Sequence, residues 1–428
     1  MKLIQHYPFI LTSIFISVLL YCNQTSYAVS FLLTDHDKKP TTSINKKQDH
    51  KVLHQQNKKN KPSHLKAGSG QSAVWSDAFT FQKMWGSQID PRTGIFSAWM
   101  KTANLISNMN RGPNIALNIN YSSNVSANPD GLGRGWNWNL THFNPANNQL
   151  TTSQGQNFIL YQTEQNHWWP RYHKLKDIRI SGDKNKNFVI TYSNALKETL
   201  NHDGYQISLE QQDGRSVHFD YLPGTHLLSC IRDDTGHKIL LTYRSNYINI
   251  TSYSSDGSPV TVRINHVNGQ LHTVSVPFAN ASDYKNININ YAGSRLINIT
   301  YPSGLRKTVE YNCNNAMKLP LINDQNHALC VVTKASISPG FGQPDMTVSY
   351  TYDNTTPNEH NYLAHNSGLN LLQNSDQDTL FNTPASYTYQ TTTDNGIVKQ
   401  INTFNKYHLL INTKTISDTD SHVLTETH

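Results

Sequence analysis

Apolar and polar residues alternate with a period of two over much of the chain after Trp75, which is the pattern of half-buried β-strands. β-Branched and aromatic residues fill the apolar positions, and the runs often recur about every ten to twelve residues. Stretches with helical periodicity are rare. The clearest runs are Phe188–Tyr192, Ser216–Tyr221, Lys238–Tyr243, Val260–Ile264, Leu271–Val276, Asn286–Tyr291, Leu296–Tyr301 and Met346–Tyr352. The pattern predicts an all-β protein.

Turn residues separate these runs. Dipeptides of Asp or Asn followed by Gly tolerate the left-handed backbone of tight hairpins. They occur at Asp203-Gly204, Asp213-Gly214, Asp256-Gly257, Asn268-Gly269 and Asn395-Gly396. We therefore expect consecutive strands to pair as antiparallel hairpins.

The strands also repeat in sequence. Ile264–Leu271 aligns with Ile289–Leu296 at an offset of 25 residues, and aromatic residues end successive units at Tyr221, Tyr243, His266, Tyr291 and Tyr311. A unit of about 22 residues cannot bury its own apolar face, so such units must stack side by side. The predicted architecture is an elongated antiparallel sheet of stacked hairpin repeats, forming a partial shell or an open array.

The first 28 residues resemble an export signal. Lys2 precedes an apolar stretch over residues 9–21, and small residues lie at the positions required for cleavage after Ala28. A stretch of thirteen residues is too short for a transmembrane helix, which needs about 20. We expect a secreted or periplasmic protein with no membrane span after cleavage; an uncleaved N-terminal anchor is the alternative.

Composition suggests the remaining organisation. Residues 29–72 are rich in Lys, Asn and Gln and poor in aliphatic residues, which predicts a disordered tether. We assign residues 73–170 to an N-terminal β module and residues 171–428 to the repeat array.

The positive charge lies outside the predicted fold. The net charge is +7; Lys2 contributes one charge, and nine Lys against three Asp in residues 35–66 contribute six more. The rest of the chain is therefore neutral and provides no electrostatic basis for binding nucleic acid.

Catalytic signatures are missing from the sequence. The chain has 48 Asn against 29 Asp plus Glu, and it contains no HExxH, GxSxG or EF-hand motif. Gly131-Leu-Gly-Arg-Gly135 is followed by Trp136 rather than by the Lys-Ser/Thr of a phosphate loop, so it is read as a glycine-rich turn. We expect a non-enzymatic protein without a cofactor or metal.

Three cysteines follow the predicted cleavage site. Cys313 and Cys330 lie 17 residues apart across a turn-forming segment, and they are expected to form either a disulfide or two free buried thiols. Cys230 has apolar neighbours and is expected in the core.

Two aromatic groups permit both a structural and a binding interpretation. Trp136 and Trp138 have the spacing that places both rings on one face of a strand, which favours core packing. Trp168 and Trp169 are adjacent and must face opposite sides, so one of these rings, with Tyr172, is a candidate for stacking on a glycan.

Some segments resemble a known family. Leu228–Gly236 with Ile239–Tyr243, and Asn290–Gly304 with Leu305–Tyr311, resemble degenerate YD repeats of the RHS family. A more specific set resembles the N-terminal region of bacterial RHS proteins related to insecticidal toxin complexes: Gln88–Phe96, Asn110–Asn114, Leu117–Tyr121 and Gly131–Leu140. From these segments we select a candidate structural motif of Asp90, Pro91, Gly94, Gly131, Gly133, Gly135, Trp136 and Trp138.

The resemblance implies a β-strand shell that encloses a toxic polypeptide and cleaves itself near its end. No Asp-Pro-x-Gly-Leu cleavage motif occurs, so self-processing is not carried over to this sequence. We expect an exported RHS-like scaffold without its own toxic effector. It should associate with other toxin-complex or RHS polypeptides, or with itself through open sheet edges. A carbohydrate-binding or adhesion module is the alternative.

Overall fold

The computed structural model describes residues 85–125, 128, 130–162, 167–170, 177–182, 187–254, 256–278, 280–318, 321–322, 328–354, 370–371, 388–417 and 422–427. The predicted signal peptide, the tether, and Tyr172 lie outside the described residues. In the described part, the one helical element is a 3-10 turn at Asn108–Asn110, and no helix is long and apolar enough to span a bilayer.

Four strands form a separate antiparallel sheet, which we call the inner sheet: β1 (Trp85–Ile89), β2 (Phe96–Leu105), β3 (Ile115–Ser122) and β4 (Trp136–Trp138). Apolar side chains alternate along β2 and β3, and their buried members face one side.

The remaining strands form one long sheet, which we call the outer sheet, apart from a parallel pair of two-residue strands, β22 (Leu321–Ile322) and β25 (Asn370–Leu371). Its strands are β5 (His142–Asn144), β6 (Gln149–Thr151), β7 (Asn157–Gln162), β8 (His167–Pro170), β9 (Ile178–Ser181), β10 (Phe188–Tyr192), β11 (Lys197–Leu200), β12 (Gln206–Glu210), β13 (Ser216–Tyr221), β14 (Leu228–Asp233), β15 (Lys238–Tyr243), β16 (Tyr247–Tyr253), β17 (Pro259–Val267), β18 (Gln270–Phe278), β19 (Asn280–Ala292), β20 (Arg295–Thr300), β21 (Arg306–Lys318), β23 (Ala328–Ser338), β24 (Met346–Asn354), β26 (Thr388–Asp394), β27 (Val398–Asn405), β28 (Leu410–Ser417) and β29 (Val423–Thr427).

Each strand of the outer sheet pairs antiparallel with its neighbour in this order, so the predicted hairpin array is confirmed. The predicted turn glycines have positive φ angles, including Gly204, Gly214 and Gly257. The sheet is open: among the described strands, β29 pairs with β28 alone.

The first strands of the outer sheet curl back on themselves. An antiparallel bridge joins His142 to Tyr205, and the Phe143 amide donates to the Gly204 carbonyl at 2.9 Å. The curl encloses its own apolar cluster, which includes Phe143, Trp168 and Phe188. The continuous sheet thus begins at β5, and the module boundary that we expected at residue 170 falls inside it, between β8 and β9.

The outer sheet wraps around the inner sheet. One buried cluster joins inner-sheet residues such as Met100 and Ile119 to outer-sheet residues from Val217 on β13 to Phe404 on β27. Neighbouring strands lie about 4.8 Å apart, so a flat sheet from β13 to β27 would extend far beyond the four strands of the inner sheet. The outer sheet must therefore curve to place these strands against the inner sheet. The chain thus covers much of the inner apolar face of the outer sheet with its own N-terminal strands.

Repeated tyrosines join successive strands of the outer sheet. The hydroxyl groups of Tyr221, Tyr291, Tyr311 and Tyr352 each donate to a backbone carbonyl 15 or 20 residues earlier, at 2.6–2.9 Å. Irregularities in strand register adjoin Tyr221, Tyr291 and Tyr311. These tyrosines explain why aromatic residues recur at the ends of the predicted units.

Strand irregularity also corrects the expectation for Cys230. The register shifts next to Tyr221, so Leu228 and Ile231 are both buried although they lie three residues apart. Cys230 is consequently half-buried rather than in the core, and it is a free thiol.

Candidate functional site

The interface between the inner and outer sheets brings together the motif residues selected from the sequence. The turn after β1 supplies the first group. The Asp90 carboxylate accepts hydrogen bonds from the amides of Arg92 (2.8 Å) and Thr93 (3.3 Å), with Pro91 at the start of the turn. The Gly94 carbonyl then accepts from the Val332 amide at 2.9 Å, which fixes this turn against the outer sheet.

The glycine-rich loop before β4 forms the second group. Gly131, Gly133 and Gly135 all have positive φ angles, as expected of a glycine-rich turn. A Cβ atom at Gly133 would lie 2.9 Å from the Leu271 backbone nitrogen, so the loop approaches the outer sheet too closely for a side chain. Beside it, the His266 ring donates to the Leu132 carbonyl at 3.0 Å.

Trp136 and Trp138 are both buried on one face of β4, as their spacing predicts. The Trp136 indole is 1% exposed and donates to the Tyr291 hydroxyl at 2.9 Å. That hydroxyl donates in turn to the Leu271 carbonyl at 2.7 Å. A single chain of hydrogen bonds therefore links the inner sheet to a repeat tyrosine of the outer sheet.

Two further contacts join the sheets, and neither follows from a sequence motif. The Leu296 amide donates to the Tyr121 hydroxyl at 2.9 Å. The Asn108 amide donates to the Asp233 carboxylate at 2.6 Å. Burial opposes ionisation of Asp233, but its hydrogen bonds from Asn108, Thr235 and His237 outweigh that effect and lower its pKa to about 2.

Asp130 is an acid of the glycine-rich loop whose pKa is raised. Burial raises its pKa to about 6, although its carboxylate accepts a hydrogen bond from the Trp138 amide at 2.9 Å. The Asp130 charge also contributes to the raised pKa values of Tyr221 and Tyr243, after burial itself. The loop thus carries one proton-binding group into a largely apolar interface.

A small cavity of about 30 Å³ lies where β1 meets β21 and β23. Lys307 lines it, and its ammonium donates to the Ser87 hydroxyl at 3.3 Å. Burial lowers the pKa of Lys307. Across the described residues, no group of three or more His, Cys, Asp or Glu side chains is placed to hold a metal ion.

One Ser, His and Asp cluster lies on the outer surface. The Ser216 hydroxyl lies 3.0 Å from Nε2 of His218 and 2.9 Å from the Asp234 carboxylate. The Asp234 carboxylate also faces Nε2, at 3.4 Å. In a nucleophilic triad the acid holds the other ring nitrogen, so this cluster lacks the geometry that activates a serine.

The glycan-stacking candidates need a correction. Trp168 is 3% exposed, packs against Phe143 and Phe188, and donates to the Gly182 carbonyl at 3.1 Å. Its face is unavailable because this ring fills the enclosed curl. Trp169 is half-buried and pairs across strands with Tyr161, which is 41% exposed.

Cys313 and Cys330 form a disulfide, which decides between the two expectations for this pair. The bond lies where the register of β21 and β23 jumps: Asn312 pairs with Val331, and the next pair is Met317 with Leu329. The disulfide therefore links the two strands at this irregularity.

Comparisons with known proteins give distant likenesses. No protein-family model matches the chain, and no curated protein sequence matches it. The crystal structure of TcdB2-TccC3 is similar over 78% of this chain and 18% of its own, at 9% identity and a TM-score of 0.27. TcdB2-TccC3 without its hypervariable C-terminal region is similar over 76% and 16%, at 10% identity and a TM-score of 0.18. The chain thus spans less than a fifth of these neighbours.

Proposed function

We propose that this protein is an exported, non-enzymatic β-scaffold related to the shell-forming part of RHS toxin-complex proteins, and that it acts by associating with other polypeptides. The observation that supports this role best is the filled interior. The outer sheet curves around the inner sheet, and buried hydrogen bonds such as those from Asn108 to Asp233 and from Trp136 to Tyr291 join the two sheets.

Three further features favour a scaffold. The RHS-like segments Gln88–Phe96 and Gly131–Leu140 both contact the outer sheet. The Ser216 cluster lacks the geometry of a triad. An open edge at β29, where both faces of Val423–Thr427 are exposed, suits pairing with a strand of a partner.

Export and association can be tested on the full chain with a C-terminal tag. Fractionation should find the protein outside the cytoplasm with Val29 as its first residue. Co-expression with polypeptides encoded by neighbouring reading frames should give a stable complex in size-exclusion chromatography. Retention of Met1 in the membrane fraction would contradict export, and turnover of a substrate by the isolated protein would contradict the scaffold role.

Carbohydrate binding is a second candidate, favoured by the outward-facing pair of Trp169 and Tyr161. Adjacent aromatic rings on a sheet surface offer apolar faces to a sugar ring. A glycan array with the native protein and with Trp169→Ala tests it. Loss of signal without loss of thermal stability would support a glycan site, and absence of signal from the native protein would exclude one at this pair.

A further inference from the structure

Two rows of residues cross the outer face of strands β16 to β19, and we call them the polar rungs. Their side chains are exposed or half-buried except that of Ser275, which is 8% exposed. In the first rung, Asn249, Arg263, Ser275 and Asn286 lie directly opposite one another on successive strands. In the second, two residues along each strand, the order is Tyr247, Asn265, Thr273 and Asn288. Buried residues such as Ile248, Ile264 and Ile287 alternate with them, which places the rungs on the outer face.

The polar rungs contain one charge among their eight side chains. The Arg263 guanidinium lies over the Tyr247 ring at 4.8 Å and near the Tyr284 ring at 5.9 Å. Its Nε donates to the Asn249 side chain at 3.0 Å. No carboxylate forms an ion pair with Arg263 among the residues that the structure describes. Tyr247 and Asn249 therefore orient the guanidinium, and its positive charge stays available to a ligand.

The neighbours of Arg263 are neutral hydrogen-bonding groups. The Asn265 amide donates to the Ser275 hydroxyl at 3.2 Å, and the Thr273 hydroxyl donates to the Asn288 side chain at 3.2 Å. Asn286 and Asn288 are exposed. Their amides can both donate to and accept from the hydroxyl groups of a sugar.

These groups together define the chemistry of a ligand. A planar guanidinium binds a carboxylate through two parallel hydrogen bonds, and the amides beside it suit a chain of hydroxyl groups. The second rung continues through Thr300 to Arg306, so a longer acidic chain would meet a second guanidinium. Arg263 and Arg306 are two cations over the six strands β16–β21, which is too few to neutralise the phosphates of a nucleic acid.

We propose that the polar rungs bind an acidic oligosaccharide, with a sugar carboxylate on Arg263 and sugar hydroxyls on Asn265, Asn286 and Asn288. The site lies on the outer face of β16–β19, away from Trp169 on β8. It does not depend on the scaffold role, since a scaffold without partners could still bind a glycan here.

The test uses the full chain and oligomers of galacturonic, glucuronic and sialic acid, each beside its carboxyl-reduced counterpart. We expect at least one acidic oligomer to bind in calorimetry and its reduced form to bind at least tenfold more weakly, since a bidentate charge-assisted pair is lost. Arg263→Gln should cause a similar loss, and Arg263→Lys, which keeps the charge but not the planar fork, a smaller one.

The control is Arg232→Gln, because Arg232 also faces outward but is already paired with Asp220 at 2.8 Å. It should bind like the native protein. Circular dichroism and thermal unfolding establish that each variant folds. The proposal is overturned if no acidic oligomer binds better than its reduced form, if folded Arg263→Gln keeps the native affinity, or if Arg232→Gln loses as much affinity.

Discussion

The backbone amide of Asn108 donates a 2.6 Å hydrogen bond to Oδ2 of Asp233, across 125 residues of sequence. Asp233 is 4% exposed, and its remaining oxygen accepts from the amides of Thr235 and His237. One carboxylate therefore shapes a hairpin turn of the outer sheet and holds a turn of the inner sheet. This buried, charge-assisted contact helps to hold the two sheets in a fixed relative position.

Asp233→Asn should destabilise the fold, because an amide nitrogen replaces an acceptor that faces the Asn108 N–H. We expect a loss of about 1.5–3 kcal/mol in denaturant unfolding at neutral pH. The matched control is Asp234→Asn, since Asp234 is exposed and should cost less than about 1 kcal/mol. Equal losses in the two variants would show that Asp233 does not join the sheets.

The lowered pKa of Asp233 predicts how the stability difference between the native protein and Asp233→Asn depends on pH. A carboxyl whose folded pKa lies below its unfolded value contributes stability above the unfolded pKa, near 3.8, and loses it as pH falls through the folded value of about 2. The difference in free energy of unfolding between the native protein and Asp233→Asn should therefore be constant around neutral pH and should decrease below about pH 4.

Asp130→Asn should stabilise the fold at neutral pH, whereas Asp233→Asn should destabilise it. The folded pKa of Asp130, about 6, lies above its ordinary value of 3.8, so its contribution is most favourable below 3.8 and is lost as pH rises through 6. Asn resembles the protonated acid and can still accept from Trp138. We expect the variant to be more stable than the native protein by on the order of 2 kcal/mol above pH 6, with no difference near pH 3.5. Thermal unfolding at several pH values measures this, and a pH-independent difference would contradict it.

Gly133→Ala should destabilise the interface between the sheets. Both the positive φ of +110° and the 2.9 Å approach to the Leu271 nitrogen oppose a Cβ atom. Gly214→Ala is the control, because Gly214 has a positive φ but no atom within 4 Å of the added carbon. We expect about 1 kcal/mol for the control from backbone strain alone and a clearly larger loss for Gly133→Ala, measured by chemical denaturation. Equal losses would mean that the loop does not approach β18.

Trp168→Ala and Trp169→Ala provide a matched pair of variants on one strand. Removal of the buried Trp168 ring should cost about 3–5 kcal/mol, because the ring fills the enclosed curl. Removal of the half-buried Trp169 should cost much less. Calorimetric unfolding compares them, and the reverse order would contradict the assignment of Trp168 to the core.

Local patterns predicted much of this structure. Period-two spacing placed Trp136 and Trp138 together on a buried face, and Asp-Gly dipeptides such as Asp213-Gly214 marked the hairpin turns. Both features depend on neighbouring residues alone. The alternation of apolar residues likewise predicted the strands, because successive side chains of a strand point to opposite faces of the sheet.

Long-range and irregular features were harder to predict. No local signal pairs Asn108 with Asp233, so the position of the inner sheet inside the outer one did not follow from the sequence. A register shift moved Cys230 out of the core, and a choice between two equivalent faces buried Trp168 instead of Trp169. The polar rungs had a visible signal in the alternating Asn residues of Asn286–Asn290, but their alignment with Arg263 depends on strand register.

Native-state hydrogen exchange tests most directly whether the outer sheet encloses the inner one. Amides in a docked interior exchange only with global unfolding. We predict that peptides covering β2 and β3 exchange in the same slowest class as those covering β17 and β20, and that Trp136→Ala accelerates both groups together. The claim would be contradicted if the amides of β2 and β3 exchanged early and Trp136→Ala left the exchange of β17 and β20 unchanged.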